Sequence, residues 1–127
     1  MPIRVLIVDD DPSFRKTAGE LLRARGLAVA GEAADHREAL AAVRDLHPDG
    51  VLVDVHLTDV DGFEVAGELS AGGTGPQVLL TSSDREAATE ELAGRCGAVG
   101  FVPKTELVSA DLERYFSAGS GPDRDPC

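Results

Sequence analysis

Three observations predict an α/β fold in which a parallel sheet is covered by helices on both faces. Short apolar runs rich in Val and Leu alternate five times with longer stretches whose apolar residues recur at helical spacing. The best of these runs are apolar at successive positions, as strands buried on both faces require. The length of 127 residues suits one domain with a substantial core and is too short for two.

The elements follow in order. β1 is expected over residues 3–8 and α1 over residues 13–25, where Phe14, Ala18, Leu21 and Leu22 stand at i, i+4, i+7 and i+8 and Gly26 supplies the stop. β2, residues 27–33, is alanine-rich and weaker. Asp35 stands three residues before Glu38, the spacing of a capping box, and opens α2, which runs to residue 46 before Pro48 and Gly50 break it. β3 follows over residues 51–55 and α3 over residues 63–70, after which Ala-Gly-Gly-Thr-Gly-Pro reads as a loop. β4 is residues 77–81, and Ser83 with Glu86 opens α4, residues 84–96, which Gly97 ends. β5 is residues 100–103, and α5 lies within residues 105–116 with Leu112, Tyr115 and Phe116 facing inward. Residues 1–116 form the expected domain. The stretch SAGSGPDRDPC, residues 117–127, has almost nothing apolar to bury and is expected to be a disordered tail or a shortened linker.

Right-handed crossovers between five such units leave few arrangements, and a doubly wound, flavodoxin-like (βα)5 sheet with strand order 2-1-3-4-5 is expected. In that order β1 and β3 are neighbours where the winding reverses, and ligands bind in the crevice outside the carboxyl ends of the strands there. The polar residues at the ends of the apolar runs gather at that edge: Asp9, Asp10 and Asp11 after β1, Asp54 in β3, Thr81 after Val-Leu-Leu and Lys104 after Gly-Phe-Val-Pro. Carboxylates held within a few Å of one another repel unless a proton or cation neutralises them. Oxygen ligands in a small, partly open site favour Mg²⁺, which commonly bridges carboxylates to a phosphoryl group. Asp54 is then the candidate nucleophile, Lys104 a positive charge against the phosphoryl group, and the Thr81 hydroxyl a donor to one of its oxygens. Each residue alone has a plainer role: Asp11 before Pro12 is a turn or cap residue, Thr81 a β-branched strand residue and Lys104 a solvated cation. Their joint placement at the ends of strands 1, 3, 4 and 5 favours the site.

Composition excludes other classes. With 12 basic and 23 acidic residues the net charge is −11, which opposes direct binding to nucleic acid or to an anionic membrane surface. No apolar stretch approaches the roughly 20 residues of a membrane-spanning helix. The start, MPIRVLIVDDDP, is no signal peptide, so a cytoplasmic location is expected. Cys96 and Cys127, the two cysteines, make no disulfide framework.

The segments LIVDDDP, LVDVHLTDVDGFEV, VLLTSS and GFVPK resemble the receiver domains of bacterial two-component response regulators, with a match over residues 3–116 and an apparent single-domain type. The resemblance implies metal binding by Asp10 and Asp54 directly, by Asp9 mostly through water, and by the backbone carbonyl of His56. It makes Asp54 the phosphoacceptor, Thr81 the switch alcohol, Lys104 the phosphoryl-sensing lysine and Phe101 the switch aromatic. His56 and Ser83 stand where relatives tune phosphoryl lifetime. Three departures are Thr58 where proline is usual, Ser82 where alanine is frequent, and Thr105 where many relatives carry a cis-proline after the lysine.

Such a domain is a switch rather than a multiple-turnover enzyme. A histidine kinase or a small phosphodonor loads Asp54 in a Mg²⁺-dependent reaction, and the α4-β5-α5 face changes its affinity for a downstream protein or a second copy of the chain. Two other readings compete. Asp9-Asp10-Asp11-Pro12-Ser13 also fits the start of haloacid-dehalogenase-type phosphatases, with Asp9 as nucleophile and Asp11 as acid, although the length and the lack of a late acid pair oppose this. Alternatively the domain is a phosphorylation-independent interaction module. A flavin site is disfavoured, since three aspartates after β1 would repel the flavin phosphate.

Overall fold

A computed structural model of the chain describes residues 2–55, 76–82 and 99–117. The helices expected at 63–70 and 84–96, the tail beyond 117, and His56, Thr58, Ser83, Cys96 and Cys127 lie outside these residues. The described elements are β1 (Arg4–Val8), α1 (Pro12–Ala24), β2 (Ala28–Ala33), α2 (His36–Leu46), β3 (Gly50–Asp54), β4 (Gln77–Ser82), β5 (Gly100–Pro103), a 3₁₀ turn (Lys104–Glu106) and α5 (Leu112–Ser117). The five strands form one parallel sheet in the order β2-β1-β3-β4-β5, as expected.

Strand alternation divides the core in two. Leu6, Val8, Val51, Val53, Val78, Leu80 and Phe101 face one side, where Ala39 of α2 is buried against them. Val5, Ile7, Leu52, Leu79 and Val102 face the other, beneath Ala18 and Leu22 of α1 and Leu112 and Phe116 of α5. Both faces of β1, β3 and β4 are therefore covered, which is why Val5–Val8, Val51–Val53 and Val78–Leu80 are apolar at successive positions. β2 is an edge strand; most of its residues are partly buried, and its pairing with β1 shifts register between Val5 and Leu6.

The helix ends follow local chemistry. Asp11 caps α1 by accepting from the backbone N–H of Ser13 at 2.9 Å, and Pro12 occupies the first turn, where a missing N–H costs nothing. Gly26, at φ +83°, lets its own N–H reach the Arg23 carbonyl and that of Leu27 reach Leu22, closing the helix. Asp35 accepts from the Glu38 N–H at 2.8 Å, but Glu38 returns its carboxylate to Ala34 N–H at 2.9 Å, one residue earlier than a capping box would place it.

The last helix is shorter than its sequence span. Lys104–Glu106 is a 3₁₀ turn, and the α-helix begins only at Leu112, where Asp111 accepts from the Arg114 N–H at 3.2 Å as a capping acid does. The loop between them is tethered to the end of α1, because the Arg25 guanidinium donates to the carbonyls of Ala110 and Val108. Leu112 and Phe116 are buried as expected, and Tyr115 is partly so.

Gly50 starts β3 directly beneath the Phe116 ring, so a Cβ there would press into the ring. Gly50→Ala should lower stability by about 1–3 kcal/mol, read as a shift of the urea midpoint with the slope unchanged. A shift below about 0.5 kcal/mol would mean that the α5 contact yields freely.

Candidate phosphoryl and metal site

The parallel register determines which side chains meet. Val8 pairs with Val53, so Asp9 and Asp54 are one step further along adjacent strands, and Asp54 in turn pairs with Thr81. Counting by twos from Ile7, Leu52 and Leu79 puts all three on the sheet face covered by α1 and α5. Val102 lies on that face too, paired with Thr81, and Lys104 follows two residues later. Asp9, Asp10 and Asp54 each bring a carboxylate oxygen to within 4.8 Å of the others, with Asp9 and Asp54 buried and Asp10 exposed.

Asp9 is the most tightly held. Its N–H extends the β1–β2 pairing by donating to the Ala33 carbonyl at 3.0 Å, and its Oδ1 accepts from the Asp11 N–H at 2.8 Å. Its own carbonyl accepts from Arg15 Nη1 at 2.7 Å, while Arg15 Nε pairs with Glu32 on β2 at 2.9 Å. Asp9 Oδ2 is fully buried, and Lys104 Nζ pairs with it at 2.8 Å. Lys104 Nζ also donates a long hydrogen bond of 3.5 Å to Asp54 Oδ2.

Burial pushes the Asp9 carboxyl above its ordinary value and the Asp54 charge adds to this, while Lys104 and the Asp11 N–H pull the other way without cancelling it. For Lys104 burial works downward, but its contact with Asp9 and the charges of Asp54 and Asp9 outweigh it and raise the ammonium's value. Among the described residues, the three carboxylates thus share the pocket with the Lys104 ammonium. The buried Asp9 carboxylate and the all-oxygen donor set suit a small, hard divalent cation.

Thr81 is fully buried, and its hydroxyl donates to the Val102 carbonyl on β5 at 2.6 Å. Phe101 is buried as well but faces the opposite side of the sheet, among Val78 and Leu80. The structure thus gathers Asp9, Asp10, Asp54 and Lys104, places Thr81 beside Asp54, and sets Phe101 on the opposite face of the sheet, one residue before the Val102 whose carbonyl Thr81 holds. Ser82, one of the departures from the family pattern, is fully buried. The peptide following Lys104 is trans, and the chain passes from it into the 3₁₀ turn. His56, whose carbonyl was expected in the metal shell, lies outside the described residues. Phe14 and Arg15 touch this constellation and were not among the expected site residues. The only hint was their position in the first turn of the helix that leaves the acidic loop.

The sequence model of the response regulator receiver domain matches residues 5–113. The protein-glutamate methylesterase/protein-glutamine glutaminase of Symbiobacterium thermophilum is 40% identical over 105 residues, covering 81% of this chain and 29% of that protein. The response regulator MprA of Mycolicibacterium vanbaalenii is 36% identical over 115 residues, covering 90% of this chain and 49% of that protein. The chain thus spans less than half the length of these relatives. Among solved structures, a two-component response regulator of the LuxR family from Aurantimonas superposes with a TM-score of 0.81 at 30% identity, covering 97% of this chain and 92% of that one. Matching architecture, a cluster of acids at the switch point of the sheet and a family match over most of the length lead to one conclusion: the chain belongs to the response regulator receiver domain family of two-component signalling.

Proposed function

We propose that this domain is a phosphorylation switch in which Asp54 takes up a phosphoryl group from a sensor histidine kinase or a small acyl phosphate. The observation that carries this reading is the convergence of the Asp9, Asp10 and Asp54 carboxylates, with Lys104 reaching Asp54 across the sheet at 3.5 Å. A carboxylate oxygen of Asp54 forms the new P–O bond as the donor's P–N or P–O bond breaks, and the departing imidazole or carboxylate keeps the bonding electrons. Water later cleaves the aspartyl phosphate, restoring the carboxylate and releasing inorganic phosphate, so the domain resets itself and turns over no external substrate.

Asp9, Asp10 and Asp54, with the His56 carbonyl, would hold Mg²⁺, which when bound supplies positive charge against the phosphoryl oxygens. Asp9 is kept in place for this by the Asp11 N–H and, through its carbonyl, by Arg15. Lys104 offsets charge on a phosphoryl oxygen with a point charge that the 3₁₀ turn presents from β5. The Thr81 hydroxyl is the coupling element. Turning toward a phosphoryl oxygen, it gives up the Val102 carbonyl, the residue next to Phe101, and so disturbs β5 from within. The α4-β5-α5 face would then change its affinity for a downstream protein, with a second copy of the chain as one partner. Coupling of about 1–3 kcal/mol is enough for such a switch. None of the described helices is long and apolar enough to cross a membrane, which accords with a cytoplasmic setting.

The dehalogenase-type alternative asks Asp11 to act as a catalytic acid, whereas its carboxylate is engaged at the N-terminus of α1. Intact mass after incubation with acetyl phosphate and Mg²⁺ decides between the readings. Wild type should gain a single phosphoryl group only when metal is present, and Asp54→Asn should gain none. Modification of the Asp54→Asn chain, or none of wild type with any donor, would contradict the proposal, and the second result would favour a phosphorylation-independent module. Asp11→Ala should still be phosphorylated while losing about 1 kcal/mol of stability in chemical denaturation. Loss of phosphoryl uptake in that variant with stability unchanged would instead point to Asp11 as part of the chemistry.

A further inference from the structure

Phe14 belongs by spacing to the inner face of α1, yet it is only partly buried, and its ring meets a charge. Lys104 Nζ lies 4.1 Å from the centroid of the Phe14 ring. The ammonium is paired with Asp9 Oδ2 at 2.8 Å and reaches Asp54 Oδ2 at a longer 3.5 Å. With its side chain only 17% exposed, Lys104 has also lost most of its water. The face of an aromatic ring attracts a cation at this distance, and more strongly once the cation is desolvated.

We propose that Phe14 is a positioning residue for Lys104, its ring holding the ammonium between Asp9 and Asp54. This rests on the reading of Lys104 as the group that meets the phosphoryl oxygen. A lysine ends in a point charge on a flexible four-carbon stem, so its placement depends on what surrounds the tip. Here both supports of the tip trace back to one loop. Asp11 caps α1 and sets the turn that carries Phe14, while its N–H holds Asp9, the other partner of Lys104. When a cation engages the acids, or Asp54 carries a phosphoryl group, the carboxylates change partners. The ring does not, and it keeps the lysine in the pocket.

The experiment pairs an NMR readout with kinetics on the full chain. Ring current should displace the Lys104 Cε proton resonances upfield in wild type and in Phe14→Tyr, and this displacement should vanish in Phe14→Leu, which keeps the apolar bulk. The second-order rate constant for phosphoryl uptake from acetyl phosphate with Mg²⁺ should fall roughly 2- to 30-fold in Phe14→Leu and be retained in Phe14→Tyr. In a Lys104→Ala background, Phe14→Leu should bring no further loss. The proposal is overturned if Phe14→Leu leaves the Lys104 resonances in place, or if it slows uptake equally with and without Lys104. Should wild type accept no phosphoryl group at all, the reading of Asp54 fails, while the Lys104 resonances still decide whether the ring holds the ammonium.

Discussion

Parallel register is the constraint on which the rest of this structure depends. Strands β1, β3 and β4 each carry a polar residue at the end of an apolar run, and pairing of Val8 with Val53 and of Asp54 with Thr81 brings Asp9, Asp54 and Thr81 level on one face. A slip of one residue in β3 would turn Asp54 toward the face of Val53 and Leu80, opposite Asp9. The long apolar runs that exclude such slips are thus also what assembles the site. Stability and function draw on the same pattern.

At the site itself, burial and charge oppose each other. Asp9 is a fully buried carboxylate, an arrangement that is costly unless a positive charge stands nearby. Lys104 supplies part of that charge from the far end of the sheet, at 2.8 Å. A cluster of three carboxylates of this kind suits a small divalent cation. Asp10, one residue on, is exposed, so the cluster opens to solvent on that side.

Much of this was legible in the residues because the chemistry is repeated along the chain. Continuous apolar runs mark strands covered on both faces, and the position of Asp9, Asp54 and Thr81 at their ends follows from alternation alone. Gly26 and Asp11 likewise end and begin α1 as their backbone and side-chain preferences dictate. What was not legible depends on distances between segments far apart in sequence. Nothing in the spacing of Phe14 separates a core residue from one facing a lysine 90 positions later. Where α5 begins within residues 105–116 was not legible either; what decides is the cap at Asp111 and the Arg25 tether to the preceding carbonyls. The opposed faces of Thr81 and Phe101 were implicit in the strand period, and Thr81 meets the residue after Phe101 through its bond to the Val102 carbonyl.

The central claim is that Asp9, Asp10 and Asp54 form one cation site. Titrating the chain with Mn²⁺ in place of Mg²⁺ and following amide resonances tests it most directly, since the paramagnetic ion broadens signals only in its vicinity. The account predicts broadening centred on residues 8–11, 54 and 104 that Mg²⁺ competes away and that Asp10→Asn combined with Asp54→Asn abolishes. Broadening centred on other acids, such as Asp45, Asp49 or Glu113, with residues 9 and 54 unaffected, would contradict it.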